Sequence, residues 1–130
     1  MSYQQLLWYS FFWNTKRRKR VLLGEVKEKM IKLIDEVAKE KGFVLGKRIV
    51  YPNAVYVELG LSPKIAPHNA LNRIKSRSSK VLRSDYPELR KLPSLWTRDY
   101  HVYNYRLEDS SLRALVNWIN SKKHGLVNGD

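Results

Sequence analysis

The sequence predicts an α+β domain whose elements run β-α-β-β-α-β, with one further helix towards the C-terminal end. Three observations predict it. Residues 54–59 alternate strictly, with Val55, Val57 and Leu59 on one side and Ala54, Tyr56 and Glu58 on the other. Val26, Met30, Leu33, Ile34 and Val37 recur at helical spacing, and so do Ala70, Leu71, Ile74, Val81 and Leu82. Turn residues separate these stretches at short intervals, and 130 residues suffice for one domain with its own core. That domain is expected over residues 1–125, with 126–130 as a flexible tail.

In chain order, residues 6–14 read as a strand with apolar groups on both faces. Leu7, Tyr9, Phe11 and Trp13 share one face, and Leu6, Trp8, Ser10 and Phe12 the other, as in a central strand covered on both sides. A basic run follows: Lys16, Arg17, Arg18, Lys19 and Arg20. Residues 24–41 form a helix, with Glu25–Lys29, Glu28–Lys32 and Asp35–Lys39 at pairing distance in the favourable order and Gly42 as its stop. Residues 43–50 are a short strand interrupted by Gly46, and Pro52-Asn53 turns it into the alternating strand, making a hairpin. Pro67 suits the first position of a second helix running to about residue 83. Its exposed side carries Arg73, Arg77, Lys80 and Ser84 as a row without interleaved carboxylates. A connector with two prolines leads to a fourth strand at 100–106. Asp109, Ser110 and Ser111 supply a cap for the last helix, whose stripe is Leu112, Leu115, Val116 and Ile119. This order is the ferredoxin-like arrangement, an antiparallel sheet with two helices on one face.

The net charge is +13 and the isoelectric point near 10.1. The charge is clustered. Residues 16–20 contribute five of the thirteen and residues 64–91 six, whereas the first helix is neutral. Such a footprint points to a polyanionic partner, nucleic acid foremost. The residues expected to meet phosphate are Lys16, Arg17, Arg18, Lys19, Arg20, Arg73, Lys75, Arg77, Lys80 and Arg83. There is no cysteine, which excludes disulfides and thiolate metal sites and fits an intracellular, cytoplasmic protein of a host or virus-infected cell. The longest apolar run, residues 6–13, is too short to span a bilayer, and its basic cluster follows it rather than preceding it, so no membrane partner is expected.

Several stretches resemble the single-tyrosine transposases of the smallest insertion sequences, the HUH-type family that includes the REP-associated tyrosine transposases. Residues 16–26 are similar to the family's basic entry into its first helix, 71–83 to its second helix, and 111–121 to its tyrosine helix; 40–43, 86–90, Leu95-Trp96 and Tyr100 match landmarks between them. The resemblance covers about residues 8–123. It implies DNA transposition and recombination within a mobile element, a homodimer, and binding of hairpin or single-stranded DNA. It also implies a divalent metal held by two histidines flanking a hydrophobic residue, a tyrosine nucleophile, and a glutamine one turn later.

Those positions depart from the family's pattern. The histidine positions hold Ala54 and Tyr56, the tyrosine position Trp118, and the glutamine position Lys122. Alanine ligates nothing, a phenol with a pKa of about 10 is a poor ligand for a hard cation, an indole has no nucleophilic oxygen, and an ammonium repels a metal. The expectation is therefore a DNA-binding protein with no catalytic residues, no metal and no cofactor, its old pocket filled by Trp118 and Tyr56. One alternative is an active transposase or nuclease with a relocated site, drawing on His68, His101 or His124 and on Tyr56, Tyr100, Tyr103 or Tyr105. Another is an RNA-binding module, although no RNP aromatic motif is present.

Overall fold

A computed structural model describes residues 5–121. Lys122, His124 and the tail at 126–130 lie outside the described residues. Four strands, β1 (Leu7–Asn14), β2 (Val44–Tyr51), β3 (Ala54–Leu61) and β4 (His101–Tyr103), form one antiparallel sheet in the order β2-β3-β1-β4. The helices are α1 (Gly24–Lys41), α2 (Pro67–Asp85) and α3 (Asp109–Ser121). This is the ferredoxin-like order with its additional helix.

The two-sided apolar pattern of β1 fixes the layering. Phe11 and Trp13 join Val55, Val57, Leu59 and Leu61 under α1 and α2 in the main core. On the reverse face, Phe12, Ala54 and Tyr56 pack against Leu107, Leu112 and Ile119, so α3 covers the side that two helices alone would leave wet. Every residue of β3 is buried, as a strand enclosed between two apolar layers must be. Pro67 opens α2 and Gly42, at φ +74°, closes α1, both as the sequence reading has it.

Four local expectations need correction. β4 is only three residues long, not 100–106, because Tyr105 and Arg106 leave the sheet edge to contact the reverse face. α3 begins at Asp109 itself: Leu112 N–H bonds to the Glu108 carbonyl, and the Asp109 carboxylate pairs with the Lys47 ammonium on β2 instead of capping. Asp35 reaches Arg48 on β2 (2.9 Å), and Lys29 approaches Asp85 on α2 (3.8 Å), so these α1 charges tie the helix to its neighbours. The row on α2 does have a carboxylate beside it, since Arg77 forms a two-pronged pair with Glu40 of α1 at 3.0 and 3.1 Å.

Candidate nucleic-acid interface and the sealed reverse face

The register of β3 sets the reverse face. Ala54, Tyr56 and Glu58 point under α3, and Asn14, Phe12 and Ser10 of β1 lie directly opposite them. Tyr56 is fully buried, and its hydroxyl has three polar neighbours: Glu58 Oε2 at 2.7 Å, Ser10 Oγ at 3.1 Å and Leu107 N at 3.2 Å. A phenol has one proton, and the shortest contact takes it to the carboxylate. The oxygen then accepts from Leu107 N–H, and Ser10 spends its own proton on the Tyr105 carbonyl at 2.6 Å. Burial pushes the Tyr56 phenol up to about 12.

Glu58 is 1% exposed. Its other oxygen accepts from Lys47 N–H (2.8 Å) and Arg106 Nε (3.1 Å). The Arg106 guanidinium also lies over the Trp8 indole, 4.8 Å from the ring centre. That indole sits in a slot made by two glycines. A Cβ on Gly60 would meet it at 3.0 Å, and one on Gly46 would stand 2.9 Å from the Glu58 carboxylate and 3.1 Å from the indole. Arginine, indole, carboxylate and phenol thus form one connected layer where the resemblance implies a metal, with phenol and carboxylate buried and the arginine at its exposed edge.

The residues present do not fit that metal. Ala54 offers a methyl group. Tyr56 is held as a neutral hydrogen-bond donor, and both Glu58 oxygens are engaged. Among the described residues no three His, Cys, Asp or Glu side chains come together around a space for a cation. Trp118 does not fill the pocket as expected. It is 49% exposed and stands edge-on to His101, with ring centres 6.2 Å apart, so Tyr56 fills the space without it. His101 lies beside Phe12, and burial lowers its pKa. His68 is on the far side of the sheet, with α2.

The cations occupy a different surface. A groove of about 630 Å³ between α1 and α2 is lined by Lys41, Asn69, Asn72, Arg73, Arg77 and Lys80 among others. A second hollow continues it past Lys41 and Arg73 to Lys64, over an apolar floor of Phe43 and Ile65; a third continues it past Lys80 to Arg83 and Arg90. Among the described residues Lys41, Lys64, Arg73 and Lys80 make no ion pair with a carboxylate.

Not every expected cation faces this groove. Lys75 turns inward: its ammonium bonds the Thr97 carbonyl at 2.8 Å and lies over the Tyr100 ring, and burial lowers its pKa. Arg83 spends one nitrogen on the Leu92 carbonyl at 3.1 Å, bracing the connector after α2. Residues 16–20 stand apart at the β1–α1 junction. Lys16, Arg17 and Arg18 form a single tight turn with Arg17 and Arg18 at φ +55° and +52°. Two consecutive side-chain-bearing residues in the left-handed region are strained. The turn is held by Lys16 N–H to Leu95 O (2.8 Å) and Thr15 Oγ1 to Lys19 O (2.7 Å). Lys41, Lys64, Asn69, Asn72 and Arg90 were not singled out from sequence; a cation ending α1 looks like an ordinary helix stop until α2 is packed beside it.

The comparisons with known proteins agree with this architecture. The sequence profile of the family described as "Transposase IS200 like" matches residues 3–122. The ISDra2 transposase TnpA of Deinococcus radiodurans is 27% identical over 104 residues, covering 78% of this chain and 74% of that protein. A crystal structure of a candidate transposase from D. radiodurans R1 superposes with a TM-score of 0.79 at 25% identity, over 94% of this chain and 95% of the other. The REP-associated tyrosine transposase bound to a REP hairpin has a TM-score of 0.57 at 20% identity over 98% of this chain and 74% of its own, a likeness of fold.

Proposed function

The chain belongs to the IS200-like transposase family, and from that premise we propose that it is a DNA-binding protein that keeps the family's fold and has given up strand cleavage by a tyrosine. The observation that carries this reading is the sealed reverse face. Tyr56, the phenol at the family's metal position, is buried, neutral and committed to Glu58. The ligand is hairpin DNA or an adjoining single strand. The α1/α2 groove and the turn at residues 16–20 offer cations for its phosphates, and a structural relative has been solved on a hairpin. The protein acts as a homodimer, for which Trp118, the exposed Val102 of the short edge strand β4 and Tyr105 just after it supply apolar surface.

The test uses the full-length protein with a DNA hairpin carrying single-stranded flanks, in manganese or magnesium. Binding that weakens steeply with salt is expected, with no covalent protein–DNA product on a denaturing gel. A tyrosine-linked adduct would overturn the reading. The RNA hairpin of the same sequence is the parallel arm, and tighter binding to it would move the assignment to an RNA-binding module.

One contact favours a second reading, a relocated nucleophile. The Tyr100 hydroxyl lies 3.0 Å from His68 Nδ1, within reach of an imidazole that accepts a phenol's proton when the ring carries its own proton on Nε2. Loss of an adduct in Tyr100→Phe would establish it.

A further inference from the structure

The corner where α2 ends differs in composition from the groove beside it. Its hollow, about 240 Å³, is lined by Ser79, Lys80, Arg83, Ser84 and Arg90. All five are polar, three are cations, and no carboxylate lines it. Among the described residues none of these three cations forms an ion pair. In the α1/α2 groove, by contrast, Arg77 is matched by Glu40, and Val37 and two asparagines share the wall.

The two arginines at this corner are braced by backbone. Arg90 gives its Nε–H to the Arg83 carbonyl at 2.9 Å, a carbonyl left open because α2 ends at Asp85. Arg83 gives an Nη2–H to the Leu92 carbonyl at 3.1 Å. Both guanidiniums are thus positioned by neutral partners, and their charge stays uncompensated. Arg83 Nε is in addition a buried N–H with no acceptor, which costs stability. An anion in the hollow offsets that cost through its field, without having to reach Nε.

Planar forks held in place, an ammonium on a flexible stem and two hydroxyls are the donors that a tetrahedral oxyanion takes. Charge narrows the choice. A backbone phosphodiester carries a single negative charge, whereas a phosphomonoester carries about 1.5–2 at neutral pH. Three cations without carboxylates suit the second. We propose that the α2 corner is a receptor for a phosphomonoester dianion, in which Lys80, Arg83 and Arg90 hold the oxygens and Ser79 and Ser84 add hydroxyl donors. A free phosphorylated small molecule and the 5′-phosphate at the end of a strand present this same group. The site goes beyond the DNA-binding reading, because its ligand chemistry is met without any nucleotide backbone.

The experiment titrates the full chain with methyl phosphate at constant ionic strength, followed by phosphorus NMR and thermal shift, with dimethyl phosphate as the diester control. Methyl phosphate is expected to bind saturably and to raise the melting temperature, and dimethyl phosphate to bind about tenfold more weakly. Arg90→Gln and Lys80→Gln, both at exposed positions, should each weaken methyl phosphate by about tenfold. Lys91→Gln, exposed and next in sequence but outside the hollow, should leave it unchanged. A 5′-phosphorylated oligonucleotide compared with its 5′-hydroxyl form separates the two sources. Tighter binding that Arg90→Gln abolishes assigns the end of a strand, and equal binding of the two forms assigns a free small molecule. Equal affinity for the two methyl esters, or an equal loss in Lys91→Gln, would mean attraction to net charge alone and overturn the receptor. The absence of saturable methyl phosphate binding would overturn it as well. No DNA enters that titration, so a failure of hairpin binding and a failure of the receptor are read separately.

Discussion

Tyr56 shows how one residue can close a site chemically as well as sterically. Its hydroxyl gives a proton to Glu58 and takes one from the Leu107 backbone. Tyr56→Phe keeps the ring but leaves both partners buried and unsatisfied, at a cost of about 1–3 kcal/mol. A fall in melting temperature of about 3–10 °C is expected in a thermal scan. An unchanged melting curve would show that the layer contributes no stability. The pKa near 12, above the ordinary value of about 10, also gives a pH dependence. Because the folded state holds the proton more tightly than the unfolded chain, this contribution is complete below about pH 10. It is lost as the pH rises towards 12. Chemical denaturation of wild type and Tyr56→Phe across that window should converge as the phenol ionises.

At the level of elements, the glycines of β2 and β3 are as informative as the side chains they make room for. Trp8 lies against the sheet because Gly46 and Gly60 have no Cβ, and Arg106 then stacks on its outer side. Gly60→Ala would drive a methyl group into the indole at 3.0 Å, and should cost about 1–3 kcal/mol through overpacking. Thermal unfolding and the near-ultraviolet dichroism of the indole should both report it. If neither moves, Trp8 is not confined by that slot. The elements were legible in the sequence where a period carried them: α1 over Gly24–Lys41 and the two faces of β3 follow from spacing alone. What spacing could not supply is where long side chains go once elements meet. Arg77 to Glu40, Lys75 to Thr97 and Arg106 to Glu58 each join residues more than twenty positions apart. Glu58 did carry a signal, since a carboxylate in an otherwise apolar strand requires donors, but nothing local identifies Arg106 as one. The three-residue length of β4 was hidden in the same way, because Tyr105 and Arg106 keep an alternating pattern while serving a different face.

Across the whole molecule the two sides of the sheet have opposite characters. One carries a groove of cations between α1 and α2, and the other a closed layer under α3. No helix among the described residues is long and apolar enough to cross a membrane. The half-exposed Trp118, edge-on to His101, belongs to this scale. A dimer of two 15.4 kDa chains is expected in sedimentation equilibrium, and Trp118→Ala should weaken it by about tenfold or more, as loss of a central aromatic anchor does. The same variant should change monomer stability by less than about 1 kcal/mol. A dimer unaffected by the substitution would place the interface elsewhere.

The interlocking of Tyr56, Glu58 and Arg106 also bears on what a change towards the paired-histidine pattern would require. A lone imidazole introduced by Ala54→His would have no second ligand and would crowd the apolar contacts under α3. Tyr56→His would strip Glu58 Oε2 of its phenol donor before any cation was there to replace it. Each substitution towards that pattern is a loss until several are taken together, so the path between the two arrangements crosses a valley of less stable intermediates.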